Sequence, residues 1–193
     1  MEWQLFEPGT VPEWTTPAWY ARRDRAPHLE QGAHRARMDT AADLVKAAHA
    51  AGNAITAVDL GAGDGGLLSL LEYSGLITWG YDLQPSNIAG AAERGVDVRL
   101  GDVLTGPVDW GDIAIATEML EHLVDPHAFV RRVAEHADVL IASSPAWETD
   151  ECHYEYHAWA WDRAGYRALL ERNGFDVVRH ADAGGFQVVW GVR

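Results

Sequence analysis

The sequence predicts an α/β fold with a doubly wound, mostly parallel seven-stranded sheet that ends in an antiparallel hairpin. Short apolar runs alternate with segments of helical periodicity from residue 54 to residue 175, and this alternation is typical of parallel sheets covered by helices on both faces. A glycine-rich turn follows the first run, as expected where a strand leads into a helix. Gly184-Gly185 separates the last two apolar runs, which predicts the hairpin.

Length and composition predict one globular domain. The chain has 193 residues, of which 48% are hydrophobic and 23% are charged, enough to bury a sizeable core. No apolar run approaches a membrane span, and we expect no signal peptide or membrane partner. The single cysteine, Cys152, favours a cytoplasmic location. The net charge of −14 argues against a nucleic-acid partner. We expect a monomer or homodimer that acts on a small-molecule substrate.

Residues 1–33 differ in character from the predicted domain at residues 34–193. Four prolines and three tryptophans without clear periodicity predict an irregular aromatic segment, with a helical turn near Pro17–Arg25. Two interpretations stay open, because the aromatics could cover an exposed edge of the core or form a lid over a ligand site. The arginines between Arg22 and Arg37 could be a solvated face or could bind a carboxylate or phosphate.

The first half of the domain predicts three strands. Met38, Ala41 and Leu44 share one helical face, and Gly52-Asn53 closes that helix. The predicted elements are a helix over 34–51, a strand over 54–60, a helix from the glycine turn to about Tyr73, a strand over Ile77–Leu83, a helix from Gln84-Pro85-Ser86 to about Arg94, and a strand over Val96–Leu100.

The second half predicts four strands and two helices. Asp125-Pro126 and Asp162 are typical helix starts, and Asn173-Gly174 is a typical helix end. The predicted elements are a strand over Asp112–Thr117, a helix with Phe129 and Val133 on its inner face, a strand over Val139–Ser143, a long aromatic connection over 145–161, a helix with Tyr166 and Leu169 on its inner face, and strands over Phe175–Arg179 and Gln187–Val192.

The stretch Ala57–Leu68, AVDLGAGDGGLL, predicts a ligand site. Glycine permits positive φ and lets a ligand approach the backbone, and the following helix start offers free N–H groups. Gly61, Gly63 and Gly66 fit the dinucleotide pattern GxGxxG, whereas Gly61, Gly63 and Gly65 fit GxGxG equally well. The spacing therefore leaves the ligand open, and a tight turn without a ligand is a third possibility.

Four acids stand at or just past the ends of predicted strands: Asp59, Asp82, Asp102 and Glu118. Ligands of open parallel sheets bind at the carboxyl ends of the strands. A polyhydroxylated, cationic ligand would need carboxylates at that level. Any one of these acids could be a loop residue or a helix cap, but the four together favour a ligand.

Four motifs in a fixed order carry a family resemblance. They are VDLGAGDGG at 58–66, YDLQP at 81–85, GDV at 101–103 and EMLEHL at 118–123. With these motifs, residues 34–193 resemble the class I S-adenosylmethionine-dependent methyltransferases, in particular small single-domain members with an ExLEH motif. The resemblance implies a Rossmann-like fold, methyl transfer to oxygen or nitrogen of a small molecule, and S-adenosylmethionine as cofactor.

The resemblance implies roles at the methionine end of the cofactor. Gly61-Ala62-Gly63 would pass beneath the methionine part, while Asp59 would order the turn and bind the amino group. Thr117 and Glu118 would line the methionyl end and open towards the acceptor. Asp64 departs from the family pattern, because a carboxylate there would repel the carboxylate of the ligand unless its side chain turns away.

The resemblance also implies roles at the nucleoside end. Asp82 would bind both ribose hydroxyls, and Leu83 would pack on the adenine. Asp102 would accept a hydrogen bond from the adenine amino group, with Val103 nearby.

Catalysis requires a group that can accept a proton when the acceptor is a hydroxyl. The candidates are Glu118, His122, His153 and His157, since a histidine pKa near neutrality suits this task. A helical turn from Met119 would place Glu118 and His122 on one face. The aromatic connection 145–161 is expected to form one wall of the acceptor site.

A metal-dependent reaction is an alternative. The RNA 3′-end 2′-O-methyltransferases use an ExxEH set and a downstream histidine to bind a divalent metal. The matching residues here are Glu118, Glu121, His122 and His157, a set that could suit Mn, Fe or Zn. The same motif occurs in small-molecule members without a metal, so a divalent metal is possible but not favoured. An inactive cofactor-binding module is the third alternative.

Overall fold

The structure, a computed structural model, describes residues 1–52 and 54–193. Asn53, predicted to help close the first long helix, lies outside the described residues. The strands in the described part are β1 (Glu2–Gln4), β2 (Thr56–Leu60), β3 (Ile77–Asp82), β4 (Val98–Leu100), β5 (Ile113–Thr117), β6 (Val139–Pro145), β7 (Trp159–Trp161), β8 (Asp176–Ala183) and β9 (Phe186–Val192).

The helices in the same residues are α1 (Pro17–Tyr20), α2 (Gly32–Ala51), α3 (Gly66–Ser69), α4 (Pro85–Arg94), α5 (Pro126–Ala134) and α6 (Arg163–Glu171). The Asp125 and Asp162 side chains accept hydrogen bonds from the backbone N–H groups of Ala128 and Gly165, so both predicted helix starts are confirmed. Within the described residues, no helix combines the length and apolar character needed to cross a membrane.

Seven of the described strands form one sheet in the order β4-β3-β2-β5-β6-β9-β8. Strands β2 to β6 pair in parallel, whereas β9 runs antiparallel to both β6 and β8. The predicted fold class is therefore confirmed, including the terminal hairpin. The strand order reverses between β2 and β5, and ligands of such sheets bind at this point, outside the carboxyl ends of the strands.

Both faces of the sheet are buried. Successive strand residues point to opposite sides, so Val58 and Leu60 join a core cluster with residues of α5 and α6. Ala57 instead packs in a cluster with residues of α2. This packing fixes the strands rigidly and holds their carboxyl ends at one level.

One predicted helix is much shorter in the structure. The helix expected to reach Tyr73 ends at Ser69. The Ser69 and Ser74 hydroxyls donate to the carbonyls of Gly66 and Leu71, at 2.7 and 2.6 Å. Such local side-chain bonds offer the backbone an alternative to the helix.

A two-stranded sheet ties the N-terminus to the connection before α6. Strand β1 runs antiparallel to β7, with Glu2 opposite Trp161 and Gln4 opposite Trp159. The Trp161 Nε1–H donates to Glu2 Oε2 at 2.8 Å. The sequence did not predict this sheet, because strands of three residues fall below the length at which alternation is visible.

Candidate active site

A cavity of about 580 Å³ lies at the carboxyl ends of the central strands. Ten of the twelve predicted site residues, counted over the catalytic and cofactor-binding sets, line it: Gly61, Gly63, Asp82, Leu83, Asp102, Val103, Thr117, Glu118, His122 and His157. The other two, Asp59 and Ala62, line a small adjoining cavity of about 30 Å³, which shares Gly61, Gly63 and Thr117 with the large one. Most of the predicted site is thus brought together in one place.

Hydrogen bonds to the end of β3 fix the backbone of the glycine turn. Gly61 and Gly63 have positive φ angles of 89° and 56°, which favour glycine. The N–H groups of Gly61 and Ala62 both donate to the Tyr81 carbonyl at 2.9 Å. A side chain at Gly63 would meet nothing within 4 Å, so this backbone faces open space.

Asp82 ties the glycine turn to the next helix. Its Oδ2 accepts a hydrogen bond from Gly63 N–H at 2.8 Å, while its Oδ1 accepts from Gln84 N–H at 2.8 Å and Asn87 Nδ2–H at 3.1 Å. Burial raises the pKa of this carboxyl, although the donated hydrogen bonds oppose the shift. Tyr81 and Asp82, rather than the predicted Asp59, therefore order the turn.

Arg37 is a buried cation that the sequence analysis named only as part of the arginine-rich stretch and did not assign to the cofactor site. It lies on α2 and is 1% exposed, and its Nε and Nη1 have no hydrogen-bond partner among the described residues. The signal in the sequence was an arginine beside Met38, on the face that α2 turns towards the core. A buried guanidinium without a partner is costly unless a ligand completes it.

Asp59 faces the same small cavity as Arg37. It is 1% exposed, and its Oδ1 has no partner in the described residues. Burial raises the pKa of the Asp59 carboxyl to about 7, the positive charge of Arg37 opposes this, and Asp82 adds to it. Arg37 and Asp59 thus line one small cavity, and each has side-chain atoms without a hydrogen-bond partner in the described residues. A guanidinium suits the carboxylate of an amino acid, and a carboxylate suits its ammonium. Both groups belong to the methionine part of the expected cofactor.

Asp64 turns away from the glycine turn. Its Oδ2 accepts hydrogen bonds from Arg25 Nε at 2.9 Å and from Arg94 Nη2 at 2.7 Å. The side chain is 2% exposed and is neutralised by these two guanidinium groups. The departure from the family pattern therefore places no free carboxylate against the ligand.

Asp102 and Val103 form the far end of the cavity. The Asp102 carboxylate accepts hydrogen bonds from Leu104 N–H at 2.9 Å and from Thr105 Oγ1 at 2.7 Å. Val103 is 6% exposed, and Leu83 lines the same cavity. Apolar groups beside a fixed acid suit a flat ring with an amino group.

Glu118 occupies a strained position at the end of β5. It is the non-glycine residue with positive φ in the described chain, at 53°. Its N–H donates to the Ser143 carbonyl, and the Ser143 hydroxyl donates to Glu118 Oε1 at 3.0 Å. Burial raises the pKa of this carboxyl, and the positive charge of Arg37 opposes the shift. The bond from Ser143 holds the Glu118 carboxylate beside β6.

The expected helical face of Glu118 and His122 is absent from the described residues. Leu120–His122 instead forms a 3-10 turn, and the group that could hold a metal is Glu121, His122 and His157, whose ligand atoms lie within 4.8 Å of one another. Glu118 is not part of this group. The structure thus brings together three of the four predicted residues, because the positive φ at Glu118 breaks the helical spacing.

The two histidines are oriented through their Nδ1 atoms. His122 Nδ1 lies 3.0 Å from the Tyr156 carbonyl, and His157 Nδ1 lies 2.6 Å from Glu148 Oε2. Burial lowers the pKa of His122 to about 3.

Glu121, the third member of the group, is fully buried, and neither of its carboxylate oxygens has a partner in the described residues. Burial, together with the negative charge of Glu118, raises the pKa of Glu121 well above its usual value.

Aromatic rings from two distant segments meet above these histidines. Trp19 lies 5.0 Å from Tyr156 between ring centroids, and Tyr20 lies 6.1 Å from His122. Tyr154 lies 5.4 Å from Tyr156 and 5.2 Å from His157. The segment 1–33 and the connection 145–161 therefore form one continuous aromatic wall.

Comparison with known proteins places this site in a family. A family model described as a methyltransferase domain matches residues 30–180. The ubiquinone biosynthesis O-methyltransferase of Methylobacterium nodulans is 40% identical over 86 residues, which cover 40% of this chain and 34% of that protein. This chain thus matches well under two thirds of that relative's length.

Solved structures share the fold. Magnesium protoporphyrin IX methyltransferase (ChlM) from Synechocystis PCC 6803, with bound S-adenosylmethionine, superposes with a TM-score of 0.70 at 16% identity, covering 97% of this chain and 100% of that chain. An O-methyltransferase family protein from Burkholderia thailandensis superposes with a TM-score of 0.64 at 15% identity, covering 82% and 55%. With the family match over residues 30–180, the chain belongs to the methyltransferase-domain family and is a class I S-adenosylmethionine-dependent methyltransferase.

Proposed function

We propose that the enzyme methylates an oxygen or nitrogen atom of a small-molecule acceptor. The observation that carries this proposal is a single cavity with the glycine turn at one end and two histidines in an aromatic wall at the other. A cavity of about 580 Å³ is of the size that proteins use for small ligands. S-adenosylmethionine, when bound, supplies a methyl group activated by its sulfonium.

The chain offers a partner for each part of that cofactor. Arg37 would bind the carboxylate and Asp59 the ammonium, which would complete two buried groups that lack partners in the described residues. Asp82 would bind the ribose hydroxyls, beside the open backbone of Gly63. Leu83, Asp102 and Val103 would hold the adenine, as the family resemblance implies.

The acceptor end supplies groups for proton transfer. His122 and His157 would each present Nε2 to the cavity, because Nδ1 is engaged by Tyr156 and Glu148. His157, held by Glu148, would accept the proton that an acceptor hydroxyl loses, whereas His122, with its low pKa, would stay neutral and position that hydroxyl. Glu118 would line the space between the two ends. The aromatic wall would exclude water from this region.

Residues 1–33 would act as a lid in this reaction. Trp19, Tyr20 and Arg23 line the cavity from outside the central strands. Two hydrogen bonds tie the backbone of this segment to the start of α4: Ser86 Oγ donates to the Arg23 carbonyl at 2.9 Å, and Gln84 Nε2 to the Asp24 carbonyl at 3.3 Å. The segment is also anchored by the β1–β7 pairing at one end and by the Arg25–Asp64 ion pair at the other, so the residues between these anchors, which include Trp19 and Tyr20, would move for ligand exchange.

The relatives support a small acceptor. The relative from Methylobacterium nodulans is an O-methyltransferase of ubiquinone biosynthesis, and the structural neighbour ChlM acts on magnesium protoporphyrin IX. Both names describe small molecules. The acidic net charge of −14 also disfavours RNA, whose phosphates would be repelled.

Binding and turnover test the proposal separately. Calorimetry should show tight binding of S-adenosylhomocysteine, and methyl-labelled S-adenosylmethionine should label at least one acceptor in a panel of phenols, catechols, carboxylates and amines. Tight binding without transfer to any acceptor would support the inactive module instead. Absence of binding would contradict the assignment of the cofactor site.

A metal-assisted form of the same reaction is the second candidate. The fully buried and unpartnered Glu121 carboxylate beside two imidazoles favours it. Two histidines and one carboxylate suit Zn or Fe(II), and histidines that bind metals usually engage their other nitrogen, as His122 and His157 do here. A metal there would stabilise a deprotonated acceptor hydroxyl.

Metal analysis separates the two candidates. The purified enzyme should hold close to one equivalent of metal by mass spectrometry if the second candidate is correct, and Glu121→Gln should lose it. The Glu118→Gln variant is the matched control, because Glu118 lies outside the three-residue group. Full activity after exhaustive chelation would exclude the metal.

A further inference from the structure

Arg23 stands at the mouth of the acceptor end. Among the described residues that line the large cavity, it is the one arginine or lysine. Its guanidinium carbon lies 4.2 Å from the centroid of the Trp19 ring and 5.7 Å from that of Tyr156. Its backbone carbonyl accepts the hydrogen bond from Ser86 Oγ at 2.9 Å, which fixes the base of the side chain.

The Arg23 guanidinium lies over the Trp19 ring and keeps N–H groups available for a ligand. An arginine that stacks on an aromatic face still directs its N–H groups outward in the plane, where a carboxylate can bind with two parallel hydrogen bonds. Within residues 1–52 and 54–193, Arg23 forms no ion pair, whereas its neighbours Arg22 and Arg25 pair with Glu13 and Asp64. Arg23 is therefore the arginine of this segment whose charge is left for a ligand.

The aromatic wall connects this cation to the histidines. Trp19 contacts Tyr156, Tyr156 contacts Tyr154, and Tyr154 contacts His157, with ring centroids 5.0, 5.4 and 5.2 Å apart. A flat ring placed along this wall would have one end near the histidines and the other near Arg23. Edge and stacking contacts of this kind favour aromatic ligands.

We propose that Arg23 binds a carboxylate and that the acceptors of this enzyme are aryl carboxylates. The group that receives the methyl faces His122 and His157, and the carboxylate at the opposite end of the molecule pairs with the Arg23 guanidinium. The inference rests on the proposed function, since it names the acceptor class of the same cavity. The positive charge thus selects the substrate and takes no part in proton transfer.

Binding to the enzyme saturated with S-adenosylhomocysteine tests the proposal without a known acceptor. Protocatechuate, para-coumarate and caffeate are each titrated by calorimetry against their primary amides, which keep the ring and hydroxyl groups but lack the charge. At least one acid should bind about tenfold more tightly than its amide. Arg23→Gln should abolish this preference, and Arg23→Lys should keep part of it, because a single ammonium cannot form the bidentate pair.

Arg22→Gln is the matched control, because the Arg22 side chain pairs with the exposed Glu13 and does not line the cavity. It should retain the preference for acids. Equal binding of every acid and its amide to the wild-type enzyme would overturn the proposal, as would a preference that survives in Arg23→Gln. Failure of the wild-type enzyme to bind S-adenosylhomocysteine would overturn the proposed function as well, so the two failures are distinguishable.

Discussion

The two ends of the cavity are built by different parts of the chain. At the cofactor end, the polar groups lie on strand ends, and the carboxylates of Asp82 and Asp102 are fixed by backbone N–H groups. At the acceptor end, the walls come from residues 1–33 and 145–161. Away from the β1–β7 pairing, these two segments meet through aromatic rings such as Trp19 and Tyr156.

The cofactor end is therefore expected to be rigid, whereas the acceptor end is expected to adjust to its ligand. Carboxylates tied to the backbone at strand ends can move only if the strand ends move. Ring contacts between two connecting segments are less directional, so the same backbone can accommodate acceptors of different shape. Substitutions at the cofactor end should therefore change cofactor affinity, whereas those at the acceptor end should change the rate and the choice of acceptor.

Among the substitutions that test this difference between the two ends, replacement of His122 should have the largest effect. His122→Ala should slow methyl transfer to the best acceptor by roughly 10²-fold or more, because the neutral imidazole that positions the acceptor hydroxyl is lost. The affinity for S-adenosylhomocysteine should stay within about twofold of the wild type, because His122 contacts the acceptor wall. Single-turnover rates and calorimetry measure the two quantities. His136→Ala is the control, since His136 is exposed and stacks on Trp110. Wild-type rates in His122→Ala would mean that His122 is structural.

Arg37 should give the next largest effect, at the opposite end. Arg37→Met should weaken S-adenosylhomocysteine binding by about a hundredfold, because a charge-assisted bond to the carboxylate is lost. The ligand-free protein should be equally or more stable in urea, because an unpartnered buried charge is replaced by an apolar side chain. Arg35→Met, on the exposed face of the same helix, should leave both quantities unchanged. A loss of affinity with an equal loss of stability would argue that Arg37 is structural.

Residues that line both ends of the cavity were predicted from the sequence, whereas the long-range packing that orients them was not. Glycines with positive φ and acids at strand ends are local features, so Gly61, Gly63 and Asp82 could be placed from spacing alone. Arg37 was named only within an arginine-rich stretch, because its burial depends on how α2 packs over the sheet, which local spacing does not contain. Glu118 lies outside the group of Glu121, His122 and His157 for a related reason, since the backbone at Glu118 has a positive φ rather than a helical one. Strand β1 and its pairing with β7 join residues more than 150 positions apart, beyond any local pattern.

Asp59 should make the stability of the ligand-free enzyme depend on pH. Its pKa of about 7 in the folded state exceeds the value of about 3.9 expected in the unfolded chain. The folded state therefore binds the proton more tightly, and the stability contribution of this group is lost as the pH rises from about 4 through 7. Asp59→Asn should remove this loss and stabilise the ligand-free enzyme by a few kcal/mol at pH 8, but by much less at pH 5. Urea unfolding at both pH values measures the difference. The same gain at both pH values would contradict the assigned pKa.

The smallest effect is expected where residues 1–33, the proposed lid, contact α4. A Cβ at Gly90 would stand 2.4 Å from Arg25 Nε, while that guanidinium is held by Asp64 and Glu93. Gly90→Ala should therefore displace Arg25, which offsets the gain of about 1 kcal/mol that alanine normally gives a helix interior.

A double-mutant cycle tests whether the effect of Gly90→Ala on stability changes sign when Arg25 is removed. In the Arg25→Ala background, Gly90→Ala should stabilise the protein by about 0.5–1 kcal/mol, whereas in the wild type it should be neutral or destabilising. Arg25→Ala should also accelerate dissociation of S-adenosylhomocysteine a few-fold, because the contact that holds the lid to Asp64 is lost. Equal effects of Gly90→Ala in both backgrounds would show that Arg25 does not occupy the space above Gly90. Residues 1–33 would then be held against α4 by the hydrogen bonds from Ser86 and Gln84 to their backbone carbonyls. The start of α4 would in that case separate the fixed end of the cavity from the adjustable end.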